Sequence, residues 1–213
     1  EKSFEEDKEL LKTFYQNEGY RDFNVLKDTL VVNEEDLSLT LFVTINEGNK
    51  YKYRNFTFEG NEIVDSEKLE ILLGLQEGDL FSRENFEKNV FEDMMSLYNN
   101  EGYIFSNVIP EIVPVGEDSI DVHFIFNEGS KVYINNIFVS GNERTRENII
   151  RRELKLFPGD VFSRAKLMRS QRDIWILNYF DNVIPDVNPV AEDKVDLDFI
   201  VEEKKSTQRI NAN

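Results

Sequence analysis

The sequence predicts an α+β chain built as a tandem repeat, each unit running β-α-α-β-β, with a three-stranded mixed sheet covered on one face by two helices. Two observations carry this. The first is a fixed spacing: Gly60-Asn61-Glu62 returns as Gly141-Asn142-Glu143, and 141 − 60 = 81. Asn46-Glu47-Gly48, Gly78-Asp79 and Phe81-Ser82-Arg83 return at the same offset as Asn127-Glu128-Gly129, Gly159-Asp160 and Phe162-Ser163-Arg164. The second is that, inside each period, apolar residues switch between strand and helix spacing in the same order. A tandem array of small modules is usually a binding or scaffolding device rather than a catalyst.

Residues 50–130 hold one whole unit. Tyr51, Tyr53, Phe56 and Phe58 stand among polar neighbours and end at Gly60-Asn61, which reads as a strand and its turn. Asp65 or Ser66 offers an N-cap for a short helix with Leu69, Leu72 and Leu73 on one face, closed by Gly74 and Gly78. Ser82 caps a second helix, and Phe86, Val90, Met94 and Leu97 recur at helical spacing, so that stripe faces a core. Gly102 ends it, because a left-handed C′ residue is least strained as Gly. Val108–Val115 carries Pro110 and Pro114, which cannot donate to a ladder, so it reads as an edge strand. Ile120, Val122, Phe124 and Phe126 alternate with Asp121, His123, Ile125 and Asn127 without Pro, which marks the centre of the sheet.

Residues 131–205 repeat the pattern. The first strand is Val132–Ser140, Thr145 caps a helix with Ile149, Ile150 and Leu154, and Ser163 caps a second with Leu167, Ile174 and Leu177. The hairpin is Val183–Val190 and Val195–Val201, and Asn178 stands where Gly19 and Gly102 stand, Asn being the next-best residue there. Residues 1–49 form a partial unit: a helix with Leu10, Leu11 and Phe14, a stop at Gly19, and a hairpin at Phe23–Val32 and Leu37–Ile45. With its first strand and helix missing, apolar surface stays uncovered and this section reads as the least stable. A chain opening inside a helical pattern, with no leader peptide, reads as a piece of a longer protein.

Composition narrows the classes. The absence of Cys excludes disulfides, thiol chemistry and Cys-based zinc sites. No apolar run reaches the roughly 18–20 residues of a membrane-spanning helix. The net charge of −17 is uneven: residues 1–129 hold 11 Lys+Arg against 29 Asp+Glu, and residues 130–213 hold 14 against 13. The acidic part argues against nucleic acid, which needs a basic footprint. Arg144, Arg146, Arg151, Arg152, Arg164, Lys166, Arg169 and Arg172 gather in one stretch, a candidate contact to anionic lipid or an acidic partner. The plain alternative is a solvated helix face.

Nothing here reads as an enzyme. There is no Gly-rich phosphate loop and no His-Glu-x-x-His, and no catalytic residue, cofactor site or metal site is assigned. His123 shares a strand face with Asp121, so a pair is possible, but a sheet-surface His is the simpler reading. Asp196 and Asp198 also share a face, yet two carboxylates are too few for a dedicated cation site.

The β-α-α-β-β order, Ile137-Phe138-Val139-Ser140-Gly141-Asn142-Glu143-Arg144-Thr145, Pro158-Gly159-Asp160-Val161-Phe162-Ser163 and the Gly-Tyr after the second helix resemble the POTRA domains of outer-membrane assembly factors. The resemblance covers nearly the whole chain. The last unit, with Asn178-Tyr179-Phe180-Asp181-Asn182-Val183 and Val201-Glu202-Glu203-Lys204, resembles the barrel-proximal repeat. Residues 206–213 alternate Ile210 and Ala212 against Arg209, Asn211 and Asn213, and read as a linker or the first residues of a barrel strand. The resemblance implies a periplasmic scaffold at the outer membrane, with unfolded outer-membrane proteins, accessory lipoproteins and the chain's own C-terminal barrel as partners. Membrane-surface contact by the last repeat is a hypothesis carried by its basic stretch, and no cofactor is expected. The alternative is the POTRA region of a two-partner secretion or translocation-and-assembly-module transporter.

A physical route to that function is strand addition. An extended client can pair with an open sheet edge through main-chain bonds, with little demand on sequence. The candidate edges hold Phe23, Val25, Leu30 and Val32 in the first unit, Val108 and Ile112 in the second, and Val183 and Val187 in the third. Pro110, Pro114, Pro185 and Pro189 can equally serve to blunt those edges, which makes the Pro-free first edge the better candidate.

Overall fold

The computed structural model describes residues 2–32 and 38–205. The reading of 206–213, and Leu37 at the start of the first hairpin's second strand, lie outside those residues. The chain forms two compact units, Glu1–Met95 with Asn107–Asn127, and Ser96–Ser106 with Glu128–Asn213.

In the first unit, α1 (Lys2–Asn17) precedes an antiparallel hairpin of β1 (Asn24–Val32) and β2 (Leu39–Asn46). There follow β3 (Lys52–Glu59), α2 (Ser66–Leu73), α3 (Arg83–Glu87), a π-helical stretch (Lys88–Met94), and then β4 (Asn107–Val115) and β5 (Ser119–Asn127). The sheet order is β3-β5-β4, with β3 parallel and β4 antiparallel to β5. The short helix α4 (Met95–Asn100) begins at the division, and its tail belongs to the second unit. That unit continues with β6 (Tyr133–Ser140), α5 (Glu147–Arg151), α6 (Arg164–Ile176), β7 (Phe180–Ala191) and β8 (Lys194–Glu203), in the order β6-β8-β7.

The alternating, Pro-free strand takes the centre of each three-stranded sheet. β5 buries Ile120, Val122, Phe124 and Phe126, and β8 buries Val195, Leu197, Phe199 and Val201. Each Leu, Ile, Val or Phe so buried stabilises by roughly 1.5–3 kcal/mol, which makes these strands the energetic centre of their units. The first strand of each sheet is bulged. Register shifts between Tyr53 and Asn55 and between Ile134 and Ile137. An extra residue inverts the side-chain phase. Hence Tyr51 and Tyr53 point inward at odd positions and Phe56 and Phe58 at even ones, and all four reach the same face.

Four expectations need correction. In the second helix Tyr98, not Leu97, is fully buried after Met94, because the π-helical turn holds more residues than an α turn and shifts the stripe by one. Thr145 does not cap α5: the N-cap position is Arg146, with no side-chain bond, and the Glu203 carboxylate accepts from the Thr145 N–H at 2.6 Å instead. Leu10 and Phe14 are exposed, since the two-stranded hairpin covers only the Leu11 and Tyr15 side of α1. Finally, each three-stranded sheet has a second edge, its first strand. Half of that edge is already used: the Gly78 N–H donates to the Tyr53 carbonyl and the Phe81 N–H to the Tyr51 carbonyl, and Gly159 and Phe162 do the same to Ile134 and Val132.

Gly60 and Gly141 end the first strands at φ 79° and 84°. A Cβ there would fall inside 3.0 Å of the carbonyl oxygens of Phe126 and Val201, backbone atoms that cannot swing away. Gly159, at φ 91°, has nothing within 4 Å of a Cβ. Gly159→Ala is therefore expected to lose only the left-handed strain of about 1–2 kcal/mol, and Gly141→Ala that strain plus the clash, together above about 3 kcal/mol. Urea unfolding of the two variants checks this; equal losses would remove the clash from the account.

Candidate functional site: helix-end joints and open strand edges

Among the described residues no cavity gathers converging catalytic groups. What repeats is a joint. The helix ending at Gly19 delivers that residue's carbonyl to the Tyr51 N–H at 2.9 Å, and the helix ending at Gly102 delivers its carbonyl to the Val132 N–H at 2.9 Å. Two residues earlier, Asn17 Oδ1 accepts from the Glu84 N–H at 2.9 Å, and Asn100 Oδ1 from the Ala165 N–H at 2.7 Å. Each Asn thus satisfies an orphan donor in the first turn of the following repeat's second helix, within one compact unit. Lys50 lies over the Tyr20 ring at 5.3 Å and Lys131 over Tyr103 at 5.4 Å. The Tyr98 hydroxyl donates to Glu128 at 2.8 Å, and burial followed by that carboxylate pushes it well above its ordinary range. Tyr15 stands in the same relation to Glu47, its hydroxyl raised by desolvation and then by that carboxylate.

Sequence reasoning missed these residues, although a signal was present. Tyr15-x-Asn17-x-Gly19-Tyr20 returns as Tyr98-x-Asn100-x-Gly102-Tyr103, and 98 − 15 = 83. The insertion of two residues between this motif and the landmarks spaced by 81 hid it.

The strand edges divide by chemistry. Leu30 and Val32 are exposed on β1, opposite Leu41 and Leu39, while Val25 sits half-buried at a register shift. Phe23 is not an edge residue: it is buried ahead of β1, stacked on Tyr15 at 4.2 Å and 13°. Val108 and Val183 are buried, and Ile112 and Val187 partly so. Their side chains hold β4 and β7 onto the core, and the edges themselves are backbone. The outward-facing apolar residues of those strands are Ile109, Val113, Ile184 and Val190.

The basic stretch does not form one surface of free charge. Arg144 bonds Glu203, Arg151 bonds Glu147 and the Ile137 carbonyl, and Arg152 bonds Glu153. Arg169 and Arg172 stand 3.9 Å from Asp173, which Lys155 holds at 3.1 Å. Arg164, Lys166 and Arg146 are exposed. His123 meets Thr57 at 2.6 Å and Glu59 at 3.1 Å rather than Asp121, which pairs with Arg54 across the β3 bulge. Asp196 accepts from Asn135 and the Asn136 N–H, and Asp198 from Ser140. Both are engaged, and among the described residues no cluster of three metal-ligating side chains forms.

The family model for POTRA, described as a surface antigen variable number repeat, matches residues 1–48, 51–129 and 132–204. The chain belongs to the POTRA family. Among curated proteins it is 33% identical over 211 residues to the outer membrane protein assembly factor BamA of Neisseria meningitidis serogroup B, covering 97% of this chain and 26% of that protein. The chain therefore spans about a quarter of that relative. Among solved structures it resembles POTRA3-5 of Haemophilus influenzae BamA, with a TM-score of 0.79 and 21% identity over 94% of this chain and 80% of that one. It also resembles Haemophilus ducreyi BamA lacking POTRA domains 1-3, with a TM-score of 0.64 and 19% identity over 72% of this chain and 30% of that one.

Within this POTRA chain the joints and Glu203 give two measurable consequences. Asn100→Ala leaves the Ala165 N–H without its acceptor and is expected to destabilise the second unit by about 1 kcal/mol; hydrogen exchange at Ala165 should speed up accordingly. Hydrogen bonds from Thr145 and then Arg144 hold the Glu203 carboxyl at about 2, below its ordinary 4.5. A depressed carboxyl stabilises fully above its unfolded value and loses that contribution as pH falls through its folded value. The second unit should therefore weaken between about pH 4.5 and 2. Glu203→Gln should flatten that part of the pH–melting curve, and an unchanged curve would rule Glu203 out as its source.

Proposed function

We propose that this chain is a periplasmic scaffold region of an outer-membrane β-barrel assembly factor. It receives unfolded outer-membrane proteins by strand addition and offers docking surfaces to accessory lipoproteins and to its own membrane barrel. The observation that carries the reading is the combination of the POTRA repeats with open edges that offer backbone rather than a specific pocket. Main-chain pairing demands little of sequence, which suits a factor accepting many clients. The relationship to an outer membrane protein assembly factor along nearly the whole chain supports the same reading.

The three hairpin edges are not equal. β4 carries Pro110 and Pro114, and β7 carries Pro185 and Pro189. A Pro removes a donor from the outer row and shortens any ladder built on it. β1 carries none, and its Leu26, Leu30 and Val32 side chains stand exposed. β1 is therefore the favoured client edge.

Photo-crosslinkers at Leu30 and Val32 of the parent protein in cells are expected to capture many different barrel precursors, with markedly weaker capture from Ile109 and Ile184. Capture of a single secreted substrate from all four positions would replace this reading with a dedicated secretion pore.

A further inference from the structure

We infer that the open face of the last repeat's sheet, at Phe138, Ile184 and Ile200, seats a basic amphipathic helix of a protein partner. The inference rests on the scaffold reading above and gives one of its docking surfaces a partner chemistry. One face of β6-β8-β7 is already covered, since Leu167 and Ile174 of α6 join Val195, Leu197, Phe199 and Val201 in one core. The outward residues of the same strands form the other face. Phe138, Ile184 and Ile200 are 50%, 47% and 37% exposed, while their neighbours Ile137, Val183, Phe199 and Val201 are buried. Ile200 on the central strand stands directly opposite Ile184 on β7 and beside Ser140 on β6. Phe138 is two residues back from Ser140 on the same face, within reach of an aromatic side chain. The three make an apolar band across all three strands.

The middle repeat shows what is particular about this band. Ile109 and Ile125 face each other there as Ile184 and Ile200 do here. At the place of Phe138, however, 81 residues earlier, stands Thr57, which bonds His123 at 2.6 Å. That face also supplies its own cations, Arg54 to Asp121 and His123 to Glu59. The last repeat has Phe138 beside Asp198 instead of Thr57 beside His123.

Charge selects the occupant. Asp196, Asp198 and Glu202 lie on the outward side of β8, and Asp186 on β7 stands directly opposite Asp198. Asp196 accepts from Asn135 and the Asn136 N–H, Asp198 from Ser140, and Asp186 from the Val187 N–H and Asn188. Those donors are all neutral. Two carboxylates facing each other across a strand pair cost stability, and a cation brought from outside relieves that cost. The cations Arg164, Arg169 and Arg172 stand on α6, which packs against the covered face. An anionic lipid surface would be repelled by the carboxylates. A strand would gain nothing from a face whose backbone groups are already in the ladder. A helix satisfies its own backbone, lays its apolar stripe on the band and sets flanking Lys and Arg against the carboxylates.

A synthetic amphipathic helix of Leu and Lys is the probe, with its Leu and Glu counterpart as control. In isoleucine-methyl spectra of the whole chain the Lys helix is expected to shift Ile184 and Ile200 and to leave Ile71 and Ile109 in place. Phe138→Ser with Ile200→Ser should weaken binding about tenfold, the apolar contribution of two such side chains, with unchanged circular dichroism. Asp186→Asn with Asp198→Asn should weaken it too and flatten its dependence on salt. Ile109→Ser, on the middle repeat, should leave it intact. Affinity indifferent to the Phe138 and Ile200 changes, equal binding of the Glu helix, or shifts confined to residues 1–127 overturns the inference. So does self-association of the chain that Ile200→Ser abolishes, which would make a second copy the occupant. Binding of the Lys helix together with absent client crosslinks at Leu30 would sink the assembly reading and leave this one standing; crosslinks without such binding would do the reverse.

Discussion

The chain depends on a carbonyl that must point outward from the end of a helix. At Gly19 and Gly102 the backbone turns to φ 100° and 97°, which ends the helix and aims the last carbonyl at the first strand of the following repeat. The turn selects glycine twice over. The left-handed region disfavours a side chain, and a Cβ at 102 would come within 2.6 Å of Val161 Cγ1. Once that bond is made, the Asn two residues earlier is in place to cap the next second helix. The division of the chain into compact units follows this logic: the Ser96–Ser106 segment clusters with the repeat it serves and not with the helix it continues. Ile104, from that segment, packs on the core of the last repeat.

Much of this was legible because it is local. The period of 81 came from turn residues, whose identities answer to φ and not to distant partners. Asn178 was read as a stand-in for Gly, and it is the only non-glycine residue at positive φ among those described, at 62°. The centre of each sheet followed from alternation without Pro. What stayed hidden depends on partners far along the chain. The cap on the α5 end comes from Glu203, 58 residues beyond Thr145, and no window around Thr145 contains it. The buried Phe23 looked like the start of an edge strand because its partner, Tyr15, lies on the preceding helix. The π-helical turn at Lys88–Met94 altered the phase of a stripe whose apolar residues fit an ordinary helix equally well.

Sheet edges show how one feature serves two ends. Main-chain groups along an edge invite pairing, and a sheet of three strands has an edge on each side. The first strand gives half of its edge to the turn after the first helix, so pairing there is already spent inside the unit. The hairpin strand keeps its outer row but carries two prolines in the second and third repeats. The same core face that buries Val108 and Val183 fixes these strands in register, so an incoming chain would meet a rigid edge. Among the described strands, β1 and its partner β2 combine an open row with no Pro and exposed aliphatic side chains.

The last repeat departs from the others where its second helix ends, and the departure is consistent along the motif. Where the earlier repeats have Asn17 and Asn100, this one has Ile176, β-branched and exposed at a helix end. Trp175, Ile176 and Tyr179 are all exposed at this end, and Glu203 is held by Thr145 and Arg144. Removing the Tyr hydroxyl without re-pairing that carboxylate would have left a charge with little solvent, since the Glu203 side chain is only 8% exposed. The two changes fit as a set. The end of this helix lacks the polar groups that the two earlier repeats use there, and the Glu203 carboxylate bonds the start of its own first helix.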